Sequence, residues 1–316
     1  MENAEGGGRL GNDPEGADWM EEFGFTVEPG SYFEGPEEGV DVDEWLAAYG
    51  ERLGMPNPLW VRDGVLPPDA REHLLSNEDG RVIIDYPPDD QPGLEVLEPV
   101  FDVVRSVQAT YGVTDFSLLD RIPHLEELCI HDKIKVAATR HEWSELRSYD
   151  GPWQRGAVPF VSAPRLDSLL LRGATQEALD LIQGPLSSLH LPRLKLADGS
   201  PGWAHPAGYV SIHTTRRVDV SNLRQLASAE KVAFDGIGEV TGLDTLTADY
   251  PLQELVLENV RSLGAISPWK IRAEKIYVMG RPNVMKWVNE ALLHRPDDWE
   301  ERWVFDHGWV PGNPAT

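Results

Sequence analysis

The sequence predicts an α/β solenoid: short parallel strands laid side by side in one sheet, joined by helical or irregular returns and closed by a cap at each end. Three observations carry that expectation. The aliphatic spacing Leu166-x-x-Leu169-x-Leu171 returns one unit later as Leu191-x-x-Leu194-x-Leu196. Further copies of the spacing flank this pair on both sides. The strong acidity of the chain, a net charge of −25 over 316 residues, belongs to the region before the copies: residues 1–100 hold 25 Asp and Glu against 5 Lys and Arg.

The core stretch, 164–199, shows why the spacing makes such a unit. In extended backbone Leu169 and Leu171 point to one face while Ser168, Leu170 and Arg172 point to the other. Leu166 lies at the bend into the strand and folds into the same interior. Residues 175–183 then read as a short helix, with Thr175 as its cap, Ala178, Leu179 and Ile182 on one face, and Gly184-Pro185 as its stop. A strand with one return cannot cover its own apolar row, so it needs copies stacked on either side.

Copies occur at Leu125-x-x-Leu128-x-Ile130, Trp143-x-x-Leu146-x-Ser148, Val218-x-Val220, Ala229-x-x-Val232-x-Phe234, Leu252-x-x-Leu255-x-Leu257 and Ala273-x-x-Ile276-x-Val278. Most are separated by roughly 20–25 residues. On the motifs LEELCI, LDSLLL, LPRLKL, LQELVL and AEKIYV, the chain between about Ile122 and Gly280 resembles the leucine-rich repeat family. The resemblance implies a curved solenoid with a parallel sheet on its concave face, used to hold another macromolecule. This chain departs from the family where Asn or Cys is usual, three residues after the last Leu. Lys133, Ala174, Gly199, Ile237 and Val260 stand there.

Four regions follow in chain order. Residues 1–17 have almost nothing to bury and are expected to be a disordered acidic tail. Residues 18–121 form an acidic N-terminal region and cap: aromatic residues among acids (Trp19, Phe23, Phe25, Tyr32, Phe33), a helix over 43–53, a short helix over 68–75, a strand over 81–86, and an amphipathic segment over 94–111 laid across the first repeat. Residues 122–280 are the repeats. Residues 281–316 are a C-terminal helical cap, with a helix over 283–294, followed by a tail whose Trp299, Trp303, Phe305 and Trp309 fold back on it.

Composition narrows the chemistry. One cysteine, Cys129, excludes a disulfide framework and suits a reducing cytosol. The start has no signal-like apolar run and no stretch approaches bilayer length, so a cytoplasmic protein without membrane contact is expected. The charge disfavours nucleic acid as a partner. Gly6-x-Gly8-x-x-Gly11 fits the dinucleotide fingerprint in letters, yet no strand precedes it and no helix follows it. Cys129, His131 and His141, with His124 nearby, are metal-ligand types without a second close-spaced pair to complete a tetrahedral set. No nucleophile elbow or zinc-protease helix is present, and no catalytic residue, metal or cofactor is assigned.

The expected function lies between the leucines. On the strand assignments above the inner face carries a basic strip, Arg147, Arg172, Arg193, Lys195, Arg217 and Lys231, with Tyr149 and Tyr277 as aromatic anchors and Glu254 and Glu258 towards one end. Such a strip suits a non-catalytic protein-binding module holding an acidic or phosphorylated segment. It also suits intramolecular contact with the chain's own acidic residues 18–40. The alternative is an acidic immunity or inhibitor protein that neutralises a basic toxin or nuclease through steered association.

Overall fold

A computed structural model of the chain describes residues 58–305, apart from 63, 78–79, 86–92, 110–111, 132, 141, 198, 281–283, 289–293 and 295–301. The chain divides into two units, Met1–Asn57 and Pro58–Thr316. The first unit, with the expected tail over 1–17, the aromatic acidic segment over 18–40 and the helix over 43–53, lies outside the described residues.

The strands are β1 (Leu59–Arg62), β2 (Arg81–Asp85), β3 (Ser106–Ala109), β4 (Glu127–Ile130), β5 (Ser148–Pro152), β6 (Ser168–Arg172), β7 (Leu186–Pro192), β8 (Ala207–His213), β9 (Arg217–Asp219), β10 (Lys231–Asp235), β11 (Glu239–Thr241), β12 (Leu252–Glu258), β13 (Ala273–Met279) and β14 (Trp303–Phe305). Twelve of them form one sheet in chain order, and every neighbouring pair is parallel. The other two, β9 and β11, pair with each other in a small parallel sheet.

One register runs the full width. Leu59, Val82, Val107, Leu128, Tyr149, Leu169, Leu189, Val210, Val232, Leu255, Ile276 and Trp303 are successive partners. None of the twelve is more than 4 % exposed. Three residues ahead of this row stands another buried row, Val104, Leu125, Leu146, Leu166, Leu186, Ala207, Ala229, Leu252 and Ala273, whose members recur every 20–23 residues. Each buried aliphatic side chain contributes roughly 1.5–3 kcal/mol, and here each is covered by its neighbours in the next turn.

The backbone repeats as well. At the entry to several strands one carbonyl accepts two N–H groups from the following turn. Arg105 accepts from Glu126 and Glu127, Glu126 from Arg147 and Ser148, Arg147 from Asp167 and Ser168, and Asp167 from Ser187 and Ser188, at 2.7–3.3 Å. The returns are short: the α-helices are α1 (Ala70–Ser76), α2 (Val158–Val161), α3 (Gln176–Leu179) and α4 (Leu243–Asp249), with 3₁₀ turns such as Leu94–Val100 between other strands.

Several expectations change. The sheet begins at β1, well before Ile122, and continues to β14 beyond Gly280. The amphipathic segment over 94–111 divides in two: Leu94–Val100 is a 3₁₀ turn containing Pro99, and Ser106–Ala109 is the strand β3. The true partner of the Leu166 copy is Leu186-x-x-Leu189-x-Leu191; Leu194 and Leu196 follow the end of β7. Val218 belongs to the small sheet, and the main sheet takes Ala207-x-x-Val210-x-Ile212 in its place. Thr175 does sit at the cap position of α3, but its hydroxyl makes no cap bond. Where the resemblance wants a ladder of Asn, Ala174, Leu194, Ile237 and Val260 form a buried apolar row instead. Of the C-terminal helix only Val284–Val288 and His294 fall among the described residues; Met285, Trp287 and Val288 are buried, and Trp303 meets Trp269 edge-on and Trp287 at a tilt.

The fifth turn is filled in its own way. Tyr149 takes the leucine position, and the next inward position is Gly151, where a Cβ would collide with the Tyr149 ring. One large side chain thus occupies the space of two, packing on Phe160 at 5.3 Å and donating its hydroxyl to the Pro152 carbonyl at 3.3 Å. Overpacking of this kind costs about 1–3 kcal/mol. Gly151→Ala is therefore expected to lower stability by about 2 kcal/mol in the wild-type chain and by less than half as much in a Tyr149→Leu background. Urea unfolding of the four chains, read as a double-mutant cycle, checks it.

Candidate functional site

Residues between the buried positions form the open face of the sheet. Its middle row passes through Cys129, Asp150, Leu170, His190, Ser211, Ala233, Val256 and Tyr277, each aligned with the next by the same register. Three consecutive small members, Ser211, Ala233 and Val256, are covered, while the larger Leu170, His190 and Tyr277 on either side stay half-buried. Ser168 and Ser188, paired through their hydroxyls at 2.7 Å, and Tyr209 lie in the row alongside.

At the centre a hydrogen-bond chain crosses three strands. His190 Nδ1 on β7 is 2.6 Å from Ser211 Oγ on β8. The same oxygen is 2.7 Å from His213 Nε2, and His213 Nδ1 is 3.4 Å from Asp235 Oδ2 on β10. Tyr209 packs its ring edge-on against His190 at 5.0 Å, and the Lys231 ammonium lies 5.8 Å from the Tyr209 ring centre. Serine, histidine and aspartate stand in the order of a nucleophile, a base and an orienting acid. The Ser211 side chain is wholly buried, however, so no substrate carbonyl reaches its oxygen. The geometry orders protons rather than activating a nucleophile.

Burial lowers the pKa of His190, and the neighbouring His213 adds to the shift while Asp150 opposes it. Burial pushes the Cys129 thiol up to about 12, and the Asp150 carboxylate adds to this. It is therefore a poor nucleophile. Among the described residues no group of three or more His, Cys, Asp or Glu is placed to hold a metal ion. A shallow depression lined by Asp244, Thr245, Trp269, Lys270 and Arg272 lies on the returns, away from the strands.

The expected basic strip does not form. Arg147 is exposed just ahead of β5 and reaches Glu126 at 3.8 Å. Arg172 ends β6 on the open face, bonded to Asp150 at 2.6 Å and to the Ile130 carbonyl. Lys231 opens β10 and pairs with Glu254 at 2.8 Å; this bond raises its pKa. Arg193 sits at a turn in left-handed backbone (φ 57), and Lys195 follows it past the end of β7. Arg217 lies in the small sheet, 3.2 Å from Glu239. Tyr149 is buried, since its strand is displaced by three residues from the assumed spacing and the ring points inward. Of the expected residues only Arg172, Lys231 and Tyr277 share the open face, with Arg147 at its edge. Assigning the repeat to Leu194 hid His190, and passing over Ala207-x-x-Val210-x-Ile212 hid Tyr209, Ser211 and His213.

Comparison with protein-family models, with curated proteins and with solved structures finds no match for this chain.

The fold holds His190 neutral more firmly than the unfolded chain does, so the unfolded state binds more protons below the ordinary imidazole pKa of about 6.5. Stability is full above that value and falls as the pH drops through it. Urea midpoints measured from pH 7.5 to 5.0 are expected to decline in the wild-type chain and to decline less in His190→Gln.

Proposed function

We propose that residues 58–305 form a leucine-rich-repeat-like solenoid, and that the open face of its sheet, its concave side, is a non-catalytic docking surface for a protein partner in the cytoplasm. One observation supports this above the others. Through consecutive strands, alternate residues are buried on one face, while the other presents Leu170, His190 and Tyr277 half-exposed in one row and Tyr209 in the row alongside. A face kept merely soluble does not need aromatic and aliphatic groups at its centre, whereas interface cores favour them. The recurrence every 20–23 residues fits the repeat length of the family.

Pairing of Arg147, Arg172 and Lys231 with acids removes the charge argument for an acidic or phosphorylated ligand, and for self-occupancy by residues 18–40. The chain's net charge of −25 favours a basic partner. A basic toxin or nuclease neutralised by an immunity or inhibitor protein is a special case of that second reading.

Immobilised full-length chain, exposed to extract of its source cells at pH 7.5, tests the docking face. Leu170→Glu and Tyr277→Glu are expected to lose the retained protein by roughly thirtyfold, the size of a hot-spot effect. Glu177→Gln, on a return helix, is expected to keep it. Equal retention by all three variants, each shown folded by circular dichroism, overturns the reading.

A further inference from the structure

The hydrogen-bond chain at the centre of the open face has a direction, and counting protons fixes it. Ionised Asp235 only accepts, so His213 carries its proton on Nδ1, facing the carboxylate at 3.4 Å. His213 Nε2 is then bare and accepts the Ser211 hydroxyl at 2.7 Å. With its one hydrogen spent, Ser211 Oγ accepts from His190 Nδ1 at 2.6 Å. His190 Nε2 is in turn bare, and among the described residues no hydrogen bond reaches it. An order set at β10 thus ends, two strands away, as a lone pair on half-exposed β7.

We propose that His190 Nε2 is a recognition atom of this face, accepting the N–H of a lysine or arginine side chain of the partner, and that acidification releases that side chain. This rests on the docking reading above and adds the partner's chemistry. The surrounding charges support it. Arg172 and Asp150 cancel, as do Lys231 and Glu254. Asp235, facing a neutral imidazole, leaves the centre negative, while Glu258 beside it on β12 and Lys275 on β13 have partners of their own.

Protonation reverses both features. A proton on His190 Nε2 turns the acceptor into a donor and puts a cation where the partner's cation sits. A proton on His213 Nε2 faces the Ser211 hydroxyl and forces its hydrogen to turn away. While His190 stays neutral that hydrogen turns to His190 Nδ1 and drives the imidazole proton to Nε2; once both rings are doubly protonated, Ser211 Oγ accepts from each and its own hydrogen loses both acceptors. The other titratable groups that face the pair from the neighbouring strands are Asp150, Arg172, Tyr209, Lys231 and Lys275. Imidazole is the side chain whose charge changes between pH 7.5 and 5.5.

The test uses the full chain labelled with ¹⁵N-histidine, its signals assigned with His190→Gln and His213→Gln. At pH 7.5 both imidazoles are expected as the Nδ1–H tautomer; an Nε2–H tautomer at His190 overturns the proposal. The probes are the capped pentapeptides Gly-Gly-Lys-Gly-Gly and Gly-Gly-Glu-Gly-Gly at millimolar concentration. The lysine peptide is expected to shift the His190 Nε2 resonance at pH 7.5 and to bind roughly tenfold more weakly at pH 5.5, the loss of one hydrogen bond to a charged group. The glutamate peptide is expected to leave that resonance in place. Equal shifts from both peptides, a pH-independent shift, or no shift from either overturns the inference while the effects of Leu170→Glu and Tyr277→Glu on capture judge the docking reading separately. If capture ignores those two substitutions, both readings fall.

Discussion

Every turn of the sheet leaves an apolar row that it cannot cover alone. A strand of three to seven residues with a short return has one buried face and too little chain to fold over it, so Leu169 is sheltered by Tyr149 on one side and Leu189 on the other. Parallel pairing in a single register follows from this need, because only that arrangement brings each apolar row against the next. The bifurcated carbonyls at the strand entries hold the register from the backbone, while the second buried row, from Val104 to Ala273, holds it from the side chains.

The same stacking governs the charges. Residues at equal positions in adjacent turns sit one strand spacing apart, close enough for a carboxylate and a base to bond directly. Arg105 meets Glu126, Arg172 meets Asp150 across one turn, Arg217 meets Glu239 and Lys231 meets Glu254. A base read along the sequence looks available; read across the sheet, it has been answered by the neighbouring turn. These pairs are partly exposed, so each adds little to stability. Their effect is to leave the open face nearly balanced, with its character set by Leu170, Tyr209, Tyr277 and the histidines.

The period and the parallel sheet were legible in the sequence because aliphatic spacing is a direct image of burial. The copies at Leu125, Leu166, Ala229, Leu252 and Ala273 fall on strands as expected. Two neighbouring stretches competed for one strand, LSSLHL and LPRLKL, and both match the spacing; tertiary pairing selects the first, and nothing local distinguishes them. Val218 was ambiguous in another way, since the small sheet of β9 and β11 also buries valines at this spacing. The candidate site was less legible for the same reason. A slip in one strand moves every intervening residue, so His190 and Ser211 came into view only once β7 and β8 were placed.

The tyrosine of the fifth turn shows what such a repeat permits. Leucine at 149 would make room for a side chain at 151; tyrosine takes that room and leaves only glycine. The two positions are therefore exchangeable only as a pair, and any single step between the two fillings passes through either a void or a collision. Regularity of outline is compatible with turns that solve the interior differently, and each such solution welds together residues that the repeat pattern treats as independent.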